Sequence, residues 1–564
     1  MKLFKFASRK RKIQFYLLFL LSILASLAEL LSIGAVIPFI GIISDPERIF
    51  EMDITKAFLK YTSITSSQEL LFPLTVFFAM AVIIAASFRI LLLWVRTRLS
   101  FAFGADISIS MYERTLYQPY RIHTSRNTGD VIATIIGKSS DVIFGIVLPV
   151  LTLLTSLILA LSIIIFIFIL EPFIGSLVFF SFGIIYALIA YFTRKILSRD
   201  SQRIAKERTR SVEAIQDGLG SIREVLLDGT QNAFKGNYTQ SDLALRRAQG
   251  NNKFVSELPR FLLEGLGMLI IAVAAYLSAI SSESFSNTIP LLAGLALGAQ
   301  RALPALQGIY NSWVMINGFI FSLKDVLEYL DQEFVPKKLE QNVPLVFNKQ
   351  FELKNINFTF QDETKPLFRN FNLIIPKGSK VGIKGTTGSG KSTLIDIIVG
   401  LIEPDKGQIV VDGSPINSEN LRSWQSLIAE IPQSIFISDK SLGSNIAFAI
   451  DEKDIDYERI DQVIEVSQLN NLVSDLPRGY KEQVGERGAL LSGGQIQRIG
   501  IARALYKKPQ ILIMDEATSA LDVLTEAKVI QSIIDYGKDI TIIMIAHRLT
   551  TLESCDFIID LDNL

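Results

Sequence analysis

Cysteine is almost absent from this 564-residue chain, where Cys555 stands alone. A single thiol cannot close an internal disulfide, so a small secreted scaffold held by cross-links is excluded. Histidine is nearly as scarce, with His123 and His547 the whole supply. Net charge is missing as well. Fifty-six Lys and Arg balance fifty-six Asp and Glu for a formal charge of zero, which argues against a nucleic-acid binder working through an overall basic field. What the chain has in excess is apolar matter: 49% hydrophobic residues against 20% charged ones, with a mean hydropathy of +0.37. That balance is too apolar for an all-soluble chain of this length and excludes intrinsic disorder.

The apolar residues are concentrated in the first half. Long runs cover Ile13 to Ile43, Leu70 to about Val95, Val142 to Leu170, Phe173 to Phe192, about Phe261 to Ile280, and a stretch between Ile289 and Phe321. Each reaches the ~20 residues that a helix needs to cross the hydrocarbon core of a bilayer. The first is too long for a signal peptide and lacks a small-residue cleavage site. Six transmembrane helices are therefore expected. Basic residues set their orientation. Lys2 to Lys12 precede the first run, Arg96 to Arg126 follow the second and Arg194 to Arg210 follow the fourth, whereas the other connections are acidic or short. This asymmetry puts both termini and the two long connections, about Arg98 to Asp141 and Arg194 to Lys253, in the cytoplasm. Their helical spacing of apolar residues predicts helices prolonged below the membrane.

Beyond Gln332 the composition becomes that of a soluble α/β domain. The expected division is residues 1–331 as the membrane domain, 332–342 as a linker interrupted by Pro336, and 343–564 as the second domain. The segment GTTGSGKST, comprising Gly385, Thr386, Thr387, Gly388, Ser389, Gly390, Lys391, Ser392 and Thr393, follows a predicted strand and opens a helical stretch. This is the phosphate-binding loop pattern in its required context. Its glycines let backbone N–H groups wrap a phosphate, and the helix aims its positive end at the same anion. Lys391 is placed for the β- and γ-phosphates and Ser392 for Mg2+. ILIMDEATSALD is a buried strand delivering Asp515 to hold Mg2+ through water and Glu516 to orient or deprotonate the attacking water. In LSGGQ, Ser492, Gly493 and Gly494 open a further helix toward an anion.

LSGGQ, the phosphate loop, DEATSALD and AHRL together resemble the nucleotide-binding domain of ABC transporters. Joined to six N-terminal spans, the whole chain resembles a half-size ABC exporter: an all-α membrane domain with helices extended into the cytoplasm, plus an α/β P-loop domain. The resemblance implies further roles. Gln433 matches the glutamine that senses Mg2+, and His547 the histidine that contacts the γ-phosphate. Asp522 matches the aspartate that reaches across the dimer, Gln495 completes the signature loop, and Phe360 matches the aromatic that stacks on adenine, with Phe358 the other candidate. The chain stops at Leu564 where relatives usually continue with a helix, which puts C-terminal regulation in doubt. Each motif occurs once, so ATP and Mg2+ are expected in two composite sites of a homodimer. Segments near Tyr117 to Asp130 and Gly218 to Asp228 are expected to transmit the motion.

For the passenger, the informative residues are arginines inside apolar runs, where charge is costly and faces a cavity or a partner. Arg89, Arg260 and Arg301 predict a cavity that takes a phosphate or pyrophosphate headgroup. Glu264, four residues after Arg260, and Glu29, as a partner for Arg89, offer a structural alternative. Between Ser44 and Glu69 the spacing admits a short amphipathic helix or a packed loop. The membrane half resembles the lipid-linked oligosaccharide flippases of bacterial protein N-glycosylation. That resemblance implies flipping of a polyprenyl-pyrophosphate-linked oligosaccharide to the outer leaflet of the bacterial inner membrane. An exporter of drugs or of another lipid, such as a lipid A precursor, and an ATP-gated channel or receptor remain open alternatives.

Overall fold

The computed structural model describes residues 2–44, 47, 66, 69–170, 172–280, 285–332, 343–360, 365–485, 488–518, 520–545 and 552–563. Contacts divide the chain into two compact units, Met1–Leu116 with Arg126–Glu333, and Tyr117–Ser125 with Phe334–Leu564. The linker expected at 332–342 falls almost entirely outside the described residues. So does most of the segment between Ser44 and Glu69.

The described residues of the first unit are almost all helical. Its long helices are α1 (Arg9–Ser44), α2 (Leu71–Leu116), α3 (Leu148–Leu170), α4 (Pro172–Gly220), α5 (Gln231–Ile280) and α6 (Phe285–Gly318), followed by α7 (Ile320–Leu330). Two wider turns, Ala133–Lys138 and Ile143–Val147, interrupt the approach to α3. Helices α2, α4 and α5 contain 46, 49 and 50 residues. At ~1.5 Å per residue each measures roughly 70 Å, about twice the thickness of a hydrocarbon core. The prolongation expected from sequence is therefore present. Among the described residues, Arg9–Ile43, Leu71–Leu116 and Thr128–Ile169 are long and apolar enough to cross a membrane. The remaining three expected runs lie on α4, α5 and α6, parts of whose side chains fall outside the description.

The burial pattern of α1 is inverted relative to a helix in water. Ser22, Ser26, Glu29 and Ser32 are buried, whereas Leu17, Leu20, Leu24, Leu27 and Leu31 are 45–58% exposed. A hydrocarbon solvent rewards this arrangement, because packing between helices then rests on small and polar side chains. Gly308 of α6 follows the same logic: a Cβ there would lie 2.5 Å from the Ser156 hydroxyl of α3. Within α5, Pro259 supplies no N–H for the carbonyl of Val255.

The second unit contains two sheets. Strands β1 (Gln350–Phe358), β2 (Phe368–Pro376), β3 (Lys380–Lys384), β4 (Lys406–Val411), β5 (Ser414–Pro415), β6 (Ile428–Ile431), β7 (Ile511–Asp515), β8 (Thr541–Ile545) and β9 (Phe557–Asp560) carry them. The smaller sheet, ordered β2-β1-β4-β5, is antiparallel, and the larger, β6-β7-β8-β3-β9, is parallel. Helix α8 (Lys391–Ile398) follows β3, α9 (Gly493–Tyr506) precedes β7, and α10 (Val523–Tyr536) follows it. The central strands read as continuous apolar runs because helices cover the parallel sheet, and Ile383, Ile397, Ile513, Ile543 and Trp424 share one core. The Trp424 indole N–H donates to Ile398 O at 2.7 Å, fastening the far end of α8.

Candidate functional site

Ligands of a parallel α/β sheet sit beyond the carboxyl ends of its strands. On β8, Ile545 is in register with both Ile383 of β3 and Asp515 of β7. The phosphate loop therefore starts two residues above the level of Asp515, with β8 between them. Gly388 and Gly390 adopt φ of +88° and +94°, a region closed to most side chains. Gly390 caps α8 with no side-chain hydrogen bond, so a side chain does not occupy the first N–H groups of that helix. Thr386, Thr387, Gly388 and Ser392 are exposed, and Ser389 and Thr393 half-buried. The Lys391 ammonium donates to Gly385 O at 2.7 Å and Thr386 O at 3.0 Å.

The acidic end of β7 is the second part. Glu516 takes φ of +51°, a conformation that costs a non-glycine residue ~1–2 kcal/mol. Its N–H donates to Ile545 O at 3.1 Å, and its Oε2 accepts from Gln433 Nε2 at 2.7 Å. The structure thus joins two residues that lie 83 positions apart in sequence. Asp515 ends the strand, half-buried. Among the described residues no cluster of three His, Cys, Asp or Glu side chains could hold a metal. Asp515, Ser392 and Gln433 offer hard oxygen donors, and that sparse set suits Mg2+, which takes few protein ligands and fills its octahedron with phosphates and water.

Two acids outside the motifs adjoin this site. Glu430 on β6 is in register with Ile513, so it shares a face with Asp515. Burial, then the charges of Asp396 and Asp515, push its carboxyl up to about 7. Burial, then the charge of Asp515, raises Asp396 of α8 to about 6. Tyr120, whose segment groups with this unit, is raised as well, by burial and then by these two acids. The signal in sequence was an acid inside the apolar strand IAEI. Both carboxyls bind protons more tightly when folded than unfolded. Their contribution to stability is therefore full below the ordinary carboxylate range and is lost as pH rises through about 6–7. Glu430→Gln, neutral at every pH, is expected to raise the unfolding temperature at about pH 8, by about 2–4 °C per kcal/mol. The gain should shrink near pH 5.5. Thermal unfolding of the full chain at both pH values checks this.

Ser492 caps α9 reciprocally: its Oγ accepts from Gln495 N–H at 3.3 Å, and Gln495 Oε1 accepts from Ser492 N–H at 2.7 Å. Gly494 passes close to Ala520 and Leu521, where a Cβ would sit 3.2 Å from the Leu521 side chain and 3.3 Å from Ala520 O. Asp522 caps α10, accepting from Thr525 N–H at 3.0 Å, and hydrogen bonding from the Thr525 side chain and then its backbone holds the carboxyl below the usual range. Phe358 is buried in the core, whereas Phe360 is 40% exposed with its ring edge-on to Phe358 at 5.1 Å. Of the two, only Phe360 presents a face for stacking. His547 lies outside the described residues, two positions beyond the end of β8.

The three arginines of the membrane unit separate into two groups. Arg89 Nε lies 3.3 Å from Glu29 and Arg301 Nε 3.2 Å from the other oxygen of the same carboxylate. Glu29 is 2% exposed, while the two guanidinium side chains remain 40% and 34% exposed. Arg260 stands apart from that trio, bonded to Glu264 at 2.8 Å one turn along α5. The pairings raised from sequence for Arg89 and Arg260 are thus present, and Arg301 joins Arg89 on Glu29, yet two cations on one anion leave a net positive charge.

Comparison with known proteins places these features in a wider set. The ABC transporter transmembrane region model matches residues 13–297, and the ABC transporter model matches 368–519. An ATP-dependent lipid A-core flippase of Photobacterium profundum is 27% identical over 399 residues, 67% of this chain and 65% of that protein. That of Cupriavidus pinatubonensis is 26% identical over 473 residues, 81% and 77% of the two chains. That of Escherichia coli K12 is 29% identical over 367 residues, 64% and 62%. The matched region thus spans just under two thirds of the first of these relatives. These relatives carry the name of the alternative expected from sequence, a lipid A exporter, and not that of the oligosaccharide flippases expected first. A solved bacterial Atm1-family ABC exporter with ATP bound superposes with a TM-score of 0.76 over 98% of this chain and 93% of its own, at 21% identity, which shows the fold.

Proposed function

The chain belongs to the ABC transporter family, with a transmembrane region and a nucleotide-binding domain in one polypeptide, and from that premise we propose that it hydrolyses ATP to flip a phosphorylated lipid from the cytoplasmic to the outer leaflet of a bacterial inner membrane. The observation that carries the ATPase part is the Gln433–Glu516 hydrogen bond at the mouth of β7, together with a glycine-rich loop whose Gly390 opens α8 with no side-chain cap. Gly385 to Thr393 would cradle the phosphates, Lys391 neutralise them, and Ser392, Asp515 and Gln433 hold Mg2+. Glu516 would orient and deprotonate water, with His547 at the γ-phosphate and Phe360 on adenine. Ser492, Gly493, Gly494, Gln495 and Asp522 would close on the nucleotide of a second copy, because one chain carries one set. The working unit is then a homodimer in the bilayer, with its termini and nucleotide-binding domain in the cytoplasm.

The passenger is read from the relatives and from Glu29. The named relatives favour an amphiphile of the lipid A class. A second reading, a polyprenyl-pyrophosphate-linked oligosaccharide, draws support from the two part-exposed guanidiniums gathered on one carboxylate, whose surplus positive charge suits a pyrophosphate. Proteoliposomes loaded with each lipid decide between them. ATP-dependent movement of one, abolished by Glu516→Gln, identifies the passenger, and movement of neither beside robust drug export rejects a lipid passenger. Arg260→Ala should leave the unfolding midpoint nearly unchanged, as an exposed i,i+4 pair contributes little to stability. Unfolding curves check it, and a translocation defect in that stable variant would put Arg260 on the path of the lipid.

A further inference from the structure

We propose that Asp562 is the positioning residue of the phosphate loop, acting on Lys391 through the single peptide group that joins Gly385 to Thr386. The inference rests on the ATPase reading of that loop and adds to it a residue that none of the motifs contains. Asp562 accepts the Thr386 N–H on both oxygens, at 3.0 and 2.9 Å, and the Thr386 hydroxyl at 2.8 Å. The carbonyl of that same peptide group, Gly385 O, accepts the Lys391 ammonium at 2.7 Å. A carboxylate at the N–H end and an ammonium at the C=O end polarise the peptide in the same direction, so each bond strengthens the other.

The carboxylate is itself held in place. Strand β9 pairs in parallel with β3, with Asp560 opposite Lys384. The two side chains meet at 3.1 Å, and that contact keeps the Asp560 carboxyl below its ordinary range. Asp560 also accepts the Asp562 N–H at 3.2 Å and the Asn563 amide at 2.8 Å. Leu561 is buried, and its Cβ lies 3.3 Å from where a side chain on Gly385 would begin. The turn after β9 is thus fixed to the strand that feeds the loop. When Lys391 leaves Gly385 O and Thr386 O for a phosphate, Asp562 keeps their peptide from turning with it. The N–H cradle then keeps its shape, and the lysine moves alone.

The consequence is a contribution to nucleotide affinity and not to the chemical step. In the full-length protein, Asp562→Ala is expected to raise KM for MgATP about five- to tenfold, the scale of one exposed charge-assisted hydrogen-bond set, with kcat within about twofold. Asp562→Asn, which keeps an acceptor for the Thr386 N–H, should recover most of that loss. Thr386→Val, which removes only the hydroxyl bond, should show a smaller rise, and adding it to Asp562→Ala should change nothing further. Unchanged KM in Asp562→Ala, a fall in kcat alone, no recovery in Asp562→Asn, or additive effects in the double variant would each overturn the proposal. Should Asp562→Ala fail to fold, Asp562→Asn, Thr386→Val and their combination carry the same test. A wild-type protein without ATP turnover would instead defeat the functional reading. The dissociation constant of a fluorescent ATP analogue would then still measure the Asp562 effect.

Discussion

Replacing Glu516 by glutamine is expected to lower ATP turnover about 10²- to 10⁴-fold, the range that a positioned general base supplies, while nucleotide affinity stays near the wild-type value. Glutamine is nearly isosteric and can still meet Gln433 by rotating its amide, so the geometry at the end of β7 survives. What disappears is the carboxylate proposed to take the proton of water. The strained φ of +51° and the N–H bond to Ile545 O hold residue 516 in one orientation whichever side chain it carries. The loss should therefore fall on kcat alone. Steady-state hydrolysis together with equilibrium nucleotide binding measures both quantities. Turnover retained within severalfold would remove Glu516 from the role of base.

The second large effect belongs to the membrane unit. Glu29→Leu leaves two guanidiniums facing one another without the carboxylate that separates their charges. Removing one partner of a fully buried ion pair costs roughly 3–5 kcal/mol; with the two guanidiniums part-exposed the loss here should fall below that range yet remain a sizeable share of what holds a domain together. Solubilised Glu29→Leu protein should show a sharp fall in unfolding temperature and in yield. The triple variant Glu29→Leu with Arg89→Leu and Arg301→Leu should regain stability, since an apolar trio of similar volume suits a membrane interior. It should not regain lipid translocation, although basal ATP hydrolysis persists. A triple variant that both folds and flips lipid would show the arginines to be structural only.

The contrast between these two sites explains what could be read from the sequence. The phosphate loop, the acidic strand end and the signature loop are contiguous, and backbone geometry follows from their spacing. The structure accordingly finds Gly388 and Gly390 at positive φ and Asp515 level with Ile383. Apolar run length likewise marked the long helices, because a bilayer sets a minimum length. The missed features are those made by pairing across distance. Asp562 and Thr386 are 176 residues apart, and no local pattern connects them. Glu29 was an evident partner for Arg89, but only the packing of α1 with α6 brings Arg301 to its other oxygen. Glu430 sits in a strand otherwise apolar, and its carboxyl is perturbed by burial first and then by Asp396 and Asp515 on neighbouring elements. Arg260 was grouped with the other two arginines by residue type, whereas its i,i+4 spacing to Glu264 was the better guide.

Pro259 gives α5 a mechanical property that its length alone would not. A 50-residue rod with every rung in place resists bending and carries a push from one end to the other as a shift along its axis. With one rung missing at Val255 the rod has a compliant joint, and flexing concentrates there. A displacement delivered at the Gln231 end thus arrives beyond the joint as a change of tilt. The segment beyond the joint can lean without the whole helix sliding along its axis.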